Sequence, residues 1–288
     1  MKQVAVVSGK GGTGKTSLAA SFAVLAGKVV VADCDVDAAD LHLLLQPKIV
    51  SKQEFKGSKL AVIDDAKCIK CGLCEEACRF SAIKDLKIDP LLCEGCGVCV
   101  HVCPEAAITL KEKVAGYAYI SETKYGPLSH ARLNAAEANS GKLVTLVRRN
   151  AEELASKGDY DLILIDGSPG IGCPVIASLT GVDLAVIIVE PTMSGLHDLE
   201  RVLDLTNHFK ITSGVCINFY DINEENTEKI AAFCAERGVP ILGKIPFDPS
   251  VTKAMVSGKP VVECFPASPA SKQIIDIWKQ VKHILLEG

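Results

Sequence analysis

The sequence lacks an excess of either charge. It carries 31 Lys and Arg against 35 Asp and Glu, a formal net charge of −4, and has no polybasic arm. Nothing in it therefore matches the dense phosphate charge of a nucleic acid. It also lacks a long apolar run: its hydrophobic stretches are strand-length and interrupted, too short to cross a bilayer. No signal or transit peptide fits ahead of the first strand signal, which starts at residue 3, so a cytoplasmic protein is expected. Histidine offers little, since His101, His130 and His197 form no defensible ligand pair and read as solvated or satisfied side chains. What the chain does have is cysteine, 13 residues of it, which without a secretion signal argues for metal rather than disulfides. Its 288 residues, 48% hydrophobic, suffice for one large α/β core and a small insert.

Eight of the cysteines form two successive runs, Cys68-x2-Cys71-x2-Cys74-x3-Cys78 and Cys93-x2-Cys96-x2-Cys99-x3-Cys103-Pro104. Disulfides or a pair of structural zinc sites are the plain alternatives for such a cluster. The doubled spacing resembles the bacterial two-cluster ferredoxins, in which three close thiolates hold one [4Fe–4S] cluster and the fourth crosses to the other. That resemblance implies one cluster on Cys68, Cys71, Cys74 and Cys103, and a second on Cys93, Cys96, Cys99 and Cys78. The first run departs from the pattern with Arg79 where the second has Pro104, at a position that supplies no ligand.

A second motif stands near the N-terminus. Gly9-Lys10-Gly11-Gly12-Thr13-Gly14-Lys15-Thr16, followed by Ser17, fits the phosphate-loop pattern G-x4-G-K-[ST]. The apolar strand signal Val4–Val7 precedes it, and a small, apolar helical stretch from Leu18 to Ala26 follows. Glycines let successive N–H groups curl toward phosphate oxygens, and the helix start adds its positive dipole end. Lys15 is expected to reach the β- and γ-phosphates of ATP, and the Thr16 hydroxyl to bind Mg²⁺. The early Lys10 resembles the deviant Walker A motif of the MinD/Mrp/nitrogenase iron protein superfamily. By that resemblance ATP is sandwiched between two subunits, and Lys10 reaches across to the partner's nucleotide. The plain alternative is an exposed lysine favoured by nearby phosphate charge.

Other segments fit the same resemblance. Val29–Ala32 is an apolar strand ending in Asp33-Cys34-Asp35, with Asp37 and Asp40 beyond. Asp35 is the first choice for the switch I acid that orients water, Asp40 the second, and Asp33 a strand-end cap. Leu162–Ile165 ending in Asp166 resembles Walker B, which implies that Asp166 supports Mg²⁺ through its water shell. Gly167 to Gly172 resembles switch II. Asn218 resembles the position that contacts adenine, and the Pro246-Phe247 turn a loop flanking the base; a turn-forming Asn or Pro is an equal reading. Cys173, seven residues beyond Asp166, resembles in spacing a cysteine of the nitrogenase iron protein that ligates a cluster bridging two subunits. A small buried cysteine is the alternative for Cys173. No second matching cysteine lies between 111 and 150, and the C-terminal Cys-x-x-Cys of Mrp-type carriers is absent. Cys34, Cys216, Cys234 and Cys264 read as packing residues.

Strand signals at 3–7, 29–34, 143–147, 161–166, 183–190, 211–218 and 241–246 alternate with helical stretches at 15–26, 150–157, 173–180, 195–208, 223–237, 249–257 and 269–286. This predicts an α/β fold, a P-loop NTPase with a mostly parallel sheet flanked by helices, with nucleotide at the carboxyl ends of the strands. Residues 1–59 and 111–288 are assigned to the ATPase, and 60–110 to an inserted α+β two-cluster ferredoxin domain. Residues 111–142 show weak periodicity and read as the return to the ATPase. The helical stripe Ile274, Ile277, Trp278, Val281 and Leu285 is expected to pack on the domain, although MinD itself ends in a membrane-targeting amphipathic helix.

The expected cofactors are ATP, Mg²⁺ and two [4Fe–4S] clusters. A homodimer, or a heterodimer with a related ATPase, is the expected assembly. Three functions fit. The first is ATP-dependent assembly or delivery of an iron–sulfur or other metallocofactor to an accepting partner. The second is an ATP-gated electron donor to a redox partner. The third is a MinD-like positioning or regulatory switch.

Overall fold

The computed structural model describes residues 1–134, 137 and 140–287, and the chain divides into two compact units. One unit comprises Met1–Lys52, Ala118–Ala131 and Ser140–Gly288; the other comprises Gln53–Tyr117 and Arg132–Asn139. The first part of the chain forms β1 (Lys2–Ser8), α1 (Lys15–Ala26), β2 (Val30–Asp33), α2 (Leu41–Leu45) and β3 (Lys48–Phe55). Then come β4 (Ser58–Ile63), α3 (Leu73–Glu76), β5 (Ile83–Lys84), β6 (Lys87–Ile88), α4 (Val98–Val102) and β7 (Ile108–Lys113). The chain continues with β8 (Gly116–Thr123), β9 (Gly126–Leu133), α5 (Ser140–Lys157), β10 (Leu162–Pro169), α6 (Cys173–Leu179) and β11 (Leu184–Val189). Last are α7 (Met193–His208), β12 (Thr212–Asn218), α8 (Glu224–Glu236), β13 (Ile241–Ile245), α9 (Pro249–Val256), α10 (Val261–Cys264) and α11 (Pro269–Glu287).

The larger unit is built on a nine-stranded sheet of order β13-β12-β11-β1-β10-β2-β9-β8-β3. Every pairing from β13 through β9 is parallel. Such strands are covered on both faces, which is why β1, β10 and β11 read as near-continuous apolar runs. Val4, Val6, Leu164, Val186 and Ile188 share one core with Leu18 and Phe22 of α1. The C-terminal stripe joins that core: Ile274, Ile277, Trp278 and Val281 are buried, and the Trp278 ring lies 4.9 Å from Phe22. Among the described residues no helix is long and apolar enough to cross a membrane.

Register places the strand ends together. Val6 pairs with Asp166, and Asp166 with Asp33. One strand expectation is corrected. Residues 143–147 are helical, within α5, because Leu143, Val144, Val147, Ala151 and Ala155 form a buried stripe at helical spacing. The weakly periodic 111–142 segment contains the strands β8 and β9, and β9 pairs with β2.

The smaller unit is a duplicated fold with a constant offset of 25 residues, as between Cys68 and Cys93. β4 pairs antiparallel with β7 from Ser58↔Lys113 to Ile63↔Ile108, and β5 pairs with β6 in a short hairpin. Asp64 N–H donates to Ala107 C=O at 2.8 Å, and its twin Asp89 donates to Ala82 at 2.7 Å. Cys68 N–H donates to Asp64 C=O at 3.0 Å, and Cys93 to Asp89 at 3.1 Å. The left-handed residues repeat too: Lys70 and Gly95 (φ 58° and 62°), Gly72 and Gly97 (80° and 82°), Ser81 and Ala106 (52° and 47°).

Candidate functional site

The first site lies at the carboxyl ends of the parallel strands of the larger unit. The loop Gly9–Thr16 links β1 to α1, with Gly14 left-handed at the helix start (φ 94°). Two of its glycines answer to close neighbours. A Cβ on Gly9 would fall 2.3 Å from Cβ of Asp198, and one on Gly14 would fall 2.6 Å from the Asn218 amide nitrogen. Gly11 and Gly12 face open space, as backbone presenting N–H groups to a ligand requires.

Lys15 is buried, and its Nζ lies 3.4 Å from Asp35 Oδ2. Asp166, paired with Asp33 across the strand ends, is fully buried, and neither of its carboxylate oxygens has a hydrogen-bond donor. Burial pushes its pKa up to about 7, against the pull of Lys15 and Thr16 toward the charged form. Asp33 is held well above the usual carboxylate range by burial and by the neighbouring Asp166 and Asp35. Its Oδ1 accepts from Asp35 N–H at 3.2 Å, and its Oδ2 is unpartnered. Asp35 is also raised by burial, with Lys15 opposing. Buried carboxylate oxygens without donors are costly unless a cation compensates them. The donor set suits a hard divalent ion, with Thr16 in the first turn of α1 and only half-buried. Asp37 and Asp40 are exposed, so Asp35 is the acid that this geometry brings to the loop.

The segment after Asp166 folds back on the loop. Ser168 Oγ donates to Cys34 C=O at 2.6 Å, and Gly170 N–H donates to Ser8 C=O at 2.8 Å. Asn218, at the end of β12, donates its amide to Thr13 C=O at 2.9 Å, so the structure sets it against the phosphate loop. Pro246 is half-buried, and the exposed Phe247 ring stands 5.9 Å from Phe219. Lys10 and Ser17 take partners outside the acid cluster. Lys10 Nζ pairs with Glu190 Oε2 at 2.9 Å, and Ser17 Oγ lies 3.5 Å from Met255 Sδ. Cys173 begins α6 and is exposed, which removes the reading of it as a buried packing residue. Cys34, Cys216 and Cys234 are buried, and Cys264 partly so. Glu190 and Phe219 did not emerge from the sequence. An acid directly following an apolar strand was the available signal for Glu190, the same one that marked Asp35 and Asp166.

The second site is in the smaller unit. Cys68, Cys71, Cys74 and Cys103 line one hollow, together with Ile63, Leu86 and Ile108. Cys78, Cys93, Cys96 and Cys99 line another, with Phe80, Ile83 and Leu110. The fourth sulfur of each set receives a backbone donor: Ala107 N–H to Cys103 Sγ at 3.3 Å, and Ala82 N–H to Cys78 Sγ at 3.4 Å. Burial pushes up the thiols of the twins Cys74 and Cys99. Among the described residues no group of three His, Cys, Asp or Glu is placed to hold a single metal ion. Four sulfurs around each apolar hollow form a donor set that suits a thiophilic group.

Residues 4–261 match the family described as CobQ/CobB/MinD/ParA nucleotide binding domain. An uncharacterized protein of Methanocaldococcus jannaschii is 35% identical over 286 residues, 98% of this chain and 97% of that protein. An iron-sulfur cluster carrier protein of Aquifex aeolicus is 29% identical over 140 residues, 44% of this chain and 38% of its own length. The septum site-determining protein MinD of Pyrococcus horikoshii, solved with Mg-ADP, shares the fold: TM-score 0.60 and 21% identity over 97% of this chain and 95% of its own. A family match running from β1 to the start of α10 takes in the loop, the buried acids and every strand between them, and the chain belongs to the CobQ/CobB/MinD/ParA nucleotide-binding family.

Proposed function

We propose that this chain is a Mg²⁺-dependent ATPase whose nucleotide-driven dimer cycle serves the assembly or delivery of an iron–sulfur or other metallocofactor. The observation that carries the reading is the pairing, in one chain, of a phosphate loop backed by unpartnered buried acids with two hollows of four cysteines each. Lys15 neutralises phosphate charge, Thr16 and Asp166 hold the cation, and Asp35 orients the attacking water. Asn218 and Pro246 border the base, and Lys10 acts on phosphate. Residues 60–110 form a ferredoxin insert, with one [4Fe–4S] cluster on Cys68, Cys71, Cys74 and Cys103 and another on Cys78, Cys93, Cys96 and Cys99. When bound, such clusters supply one-electron redox chemistry at potentials tuned by hydrogen bonds to sulfur.

Similarity to an iron-sulfur cluster carrier protein supports the maturation role, as does the exposure of Cys173 at the head of α6. The test is iron content after anaerobic reconstitution. Labile iron beyond the two resident clusters, lost in Cys173→Ser, is expected; identical iron in both proteins would overturn the role for Cys173. A second reading, an ATP-gated electron donor, is favoured by the N–H···S bonds to Cys78 and Cys103, which suit resident redox clusters. It requires that a non-hydrolysable ATP analogue shift the potential in an EPR-monitored titration by tens of millivolts, where ~59 mV is tenfold in a one-electron equilibrium. An unmoved potential leaves the maturation reading.

A further inference from the structure

The start of the phosphate loop is clamped on its own subunit, and the clamp ends on a charge that phosphate would also seek. Ser8, fully buried, donates its Oγ to Lys10 C=O at 2.6 Å. Gly9 packs against Asp198 of α7 so closely that a Cβ there would overlap it. Beyond the backbone, Lys10 Nζ reaches Glu190 Oε2 at 2.9 Å. Glu190 follows β11, which lies beside β1 in parallel register, Val7 opposite Ile187, so both residues emerge at the carboxyl ends of neighbouring strands. Its own backbone is fixed. Glu190 C=O accepts from Thr192 N–H at 2.8 Å, and a Cβ on Gly195 in the first turn of α7 would fall 2.4 Å from that carbonyl oxygen. Thr192 Oγ1 in turn caps α7 by accepting from Gly195 N–H at 2.9 Å. The carboxylate is therefore presented from a rigid corner, while Lys10 is a long side chain free to leave it.

We infer that Glu190 is a positioning residue that competes with nucleotide phosphate for Lys10, holding the lysine on its own subunit until a triphosphate displaces the carboxylate. The inference rests on the nucleotide-binding role proposed for the loop. Both side chains keep some contact with water, at 35% and 20% exposure, so the pair is weak enough to exchange. A phosphate group offers Lys10 more negative charge than one carboxylate does, which sets the direction of the exchange. Glu190 thereby lowers affinity for the nucleotide by the fraction of molecules in which Lys10 is held.

The experiment measures the affinity of the intact protein for a non-hydrolysable Mg²⁺-ATP analogue and for Mg²⁺-ADP. The set comprises the natural protein, Glu190→Gln, Glu190→Asp, Lys10→Ala and the Lys10→Ala/Glu190→Gln double variant. Glu190→Gln keeps the shape and removes the charge, and should bind the ATP analogue about two- to fivefold tighter, the span of an exposed ion pair. Its affinity for ADP should move less. Glu190→Asp keeps the charge within reach of the flexible lysine and should stay near the natural protein. In the Lys10→Ala background the gain should vanish. Unchanged or weaker analogue binding by Glu190→Gln overturns the inference, as does a gain that survives without Lys10. If the natural protein binds neither nucleotide, the proposed nucleotide role fails and the inference falls with it.

Discussion

The two sites are held in opposite ways. At the strand ends of the larger unit, Asp33 and Asp166 are positioned by parallel register over an extensive apolar core. In the smaller unit the cysteines hang on turns and two helical segments, over a core cluster whose buried members are Ala61, Cys74, Ile83 and Ile108. A core that small is poor support for a fold without a covalent or metal staple. The difference teaches that the sheet builds the acid site, whereas the smaller unit, on the cluster reading proposed above, needs the ligand of its cysteines to hold its fold. The largest predicted effect follows. Stripping iron by reduction and chelation should abolish amide-exchange protection across 58–113 while leaving β1, β10 and β11 protected. Equal protection in both units after stripping would break the comparison. Replacing the buried Cys74 by Ser should cost more of that protection than replacing the exposed Cys71.

The acid site should respond in the reverse sense, losing function without losing its fold. Asp166→Asn should reduce Mg²⁺-dependent turnover about 10- to 100-fold, as the loss of a group that orients a metal shell does. Stability should move the other way. The folded pKa of Asp166 is raised to about 7, against ~3.9 in the unfolded chain. Between those values the folded protein binds the extra proton, so the stability of the metal-free protein falls as pH rises from ~4 to ~7, then levels. The drop is on the order of a few kcal/mol, and Asn at 166 should make it shallower, with the raised Asp33 and Asp35 keeping a residual slope. Denaturation across that pH range, with Mg²⁺ removed, reads the slope. An equal slope in Asp166→Asn would assign it to other groups.

What was legible in the sequence follows the same division. A parallel sheet writes itself as apolar strands ending in polar residues, so β1, β2, β10 and β12 and their terminal side chains could be read directly. Non-local pairing could not. β9 pairs with β2, yet its sequence, Gly-Pro-Leu-Ser-His-Ala-Arg-Leu, carries turn formers and little alternation. Gly126 is needed there because a Cβ would fall 2.1 Å from Val29 C=O, a constraint imposed by the residue that leads into β2, far away in sequence. Residues 143–147 misled because Leu-Val-Thr-Leu-Val is β-branched and apolar; the helical stripe emerges only over the full length of α5. Glu190 carries the same strand-end signal as Asp35 and Asp166, but its meaning lies in a through-space pair with Lys10.

The smallest effects should come from within the duplicated unit, where the two halves differ at the twin positions 70 and 95. Gly95 and Lys70 occupy twin positions with nearly the same left-handed φ, 62° and 58°. Left-handed backbone alone costs an L-residue about 1–2 kcal/mol, which Lys70 bears. Gly95 has a second reason to lack a side chain: a Cβ would stand 2.3 Å from the carbonyl oxygen of Lys59, part of β4 and bonded into the sheet with β7. Gly72, by contrast, is left-handed with nothing near the place of its Cβ. Gly72→Ala should therefore cost about 1 kcal/mol, the conformational part alone. Gly95→Ala should cost about 3 kcal/mol or more, because a backbone atom rather than a flexible side chain must give way. Since Gly95 lines the hollow of Cys78, Cys93, Cys96 and Cys99, that variant should also release iron from one cluster faster than from the other. Denaturant midpoints and iron-release rates of the two loaded variants decide the point. Equal losses would mean that conformational strain, and not the Lys59 carbonyl, keeps residue 95 a glycine.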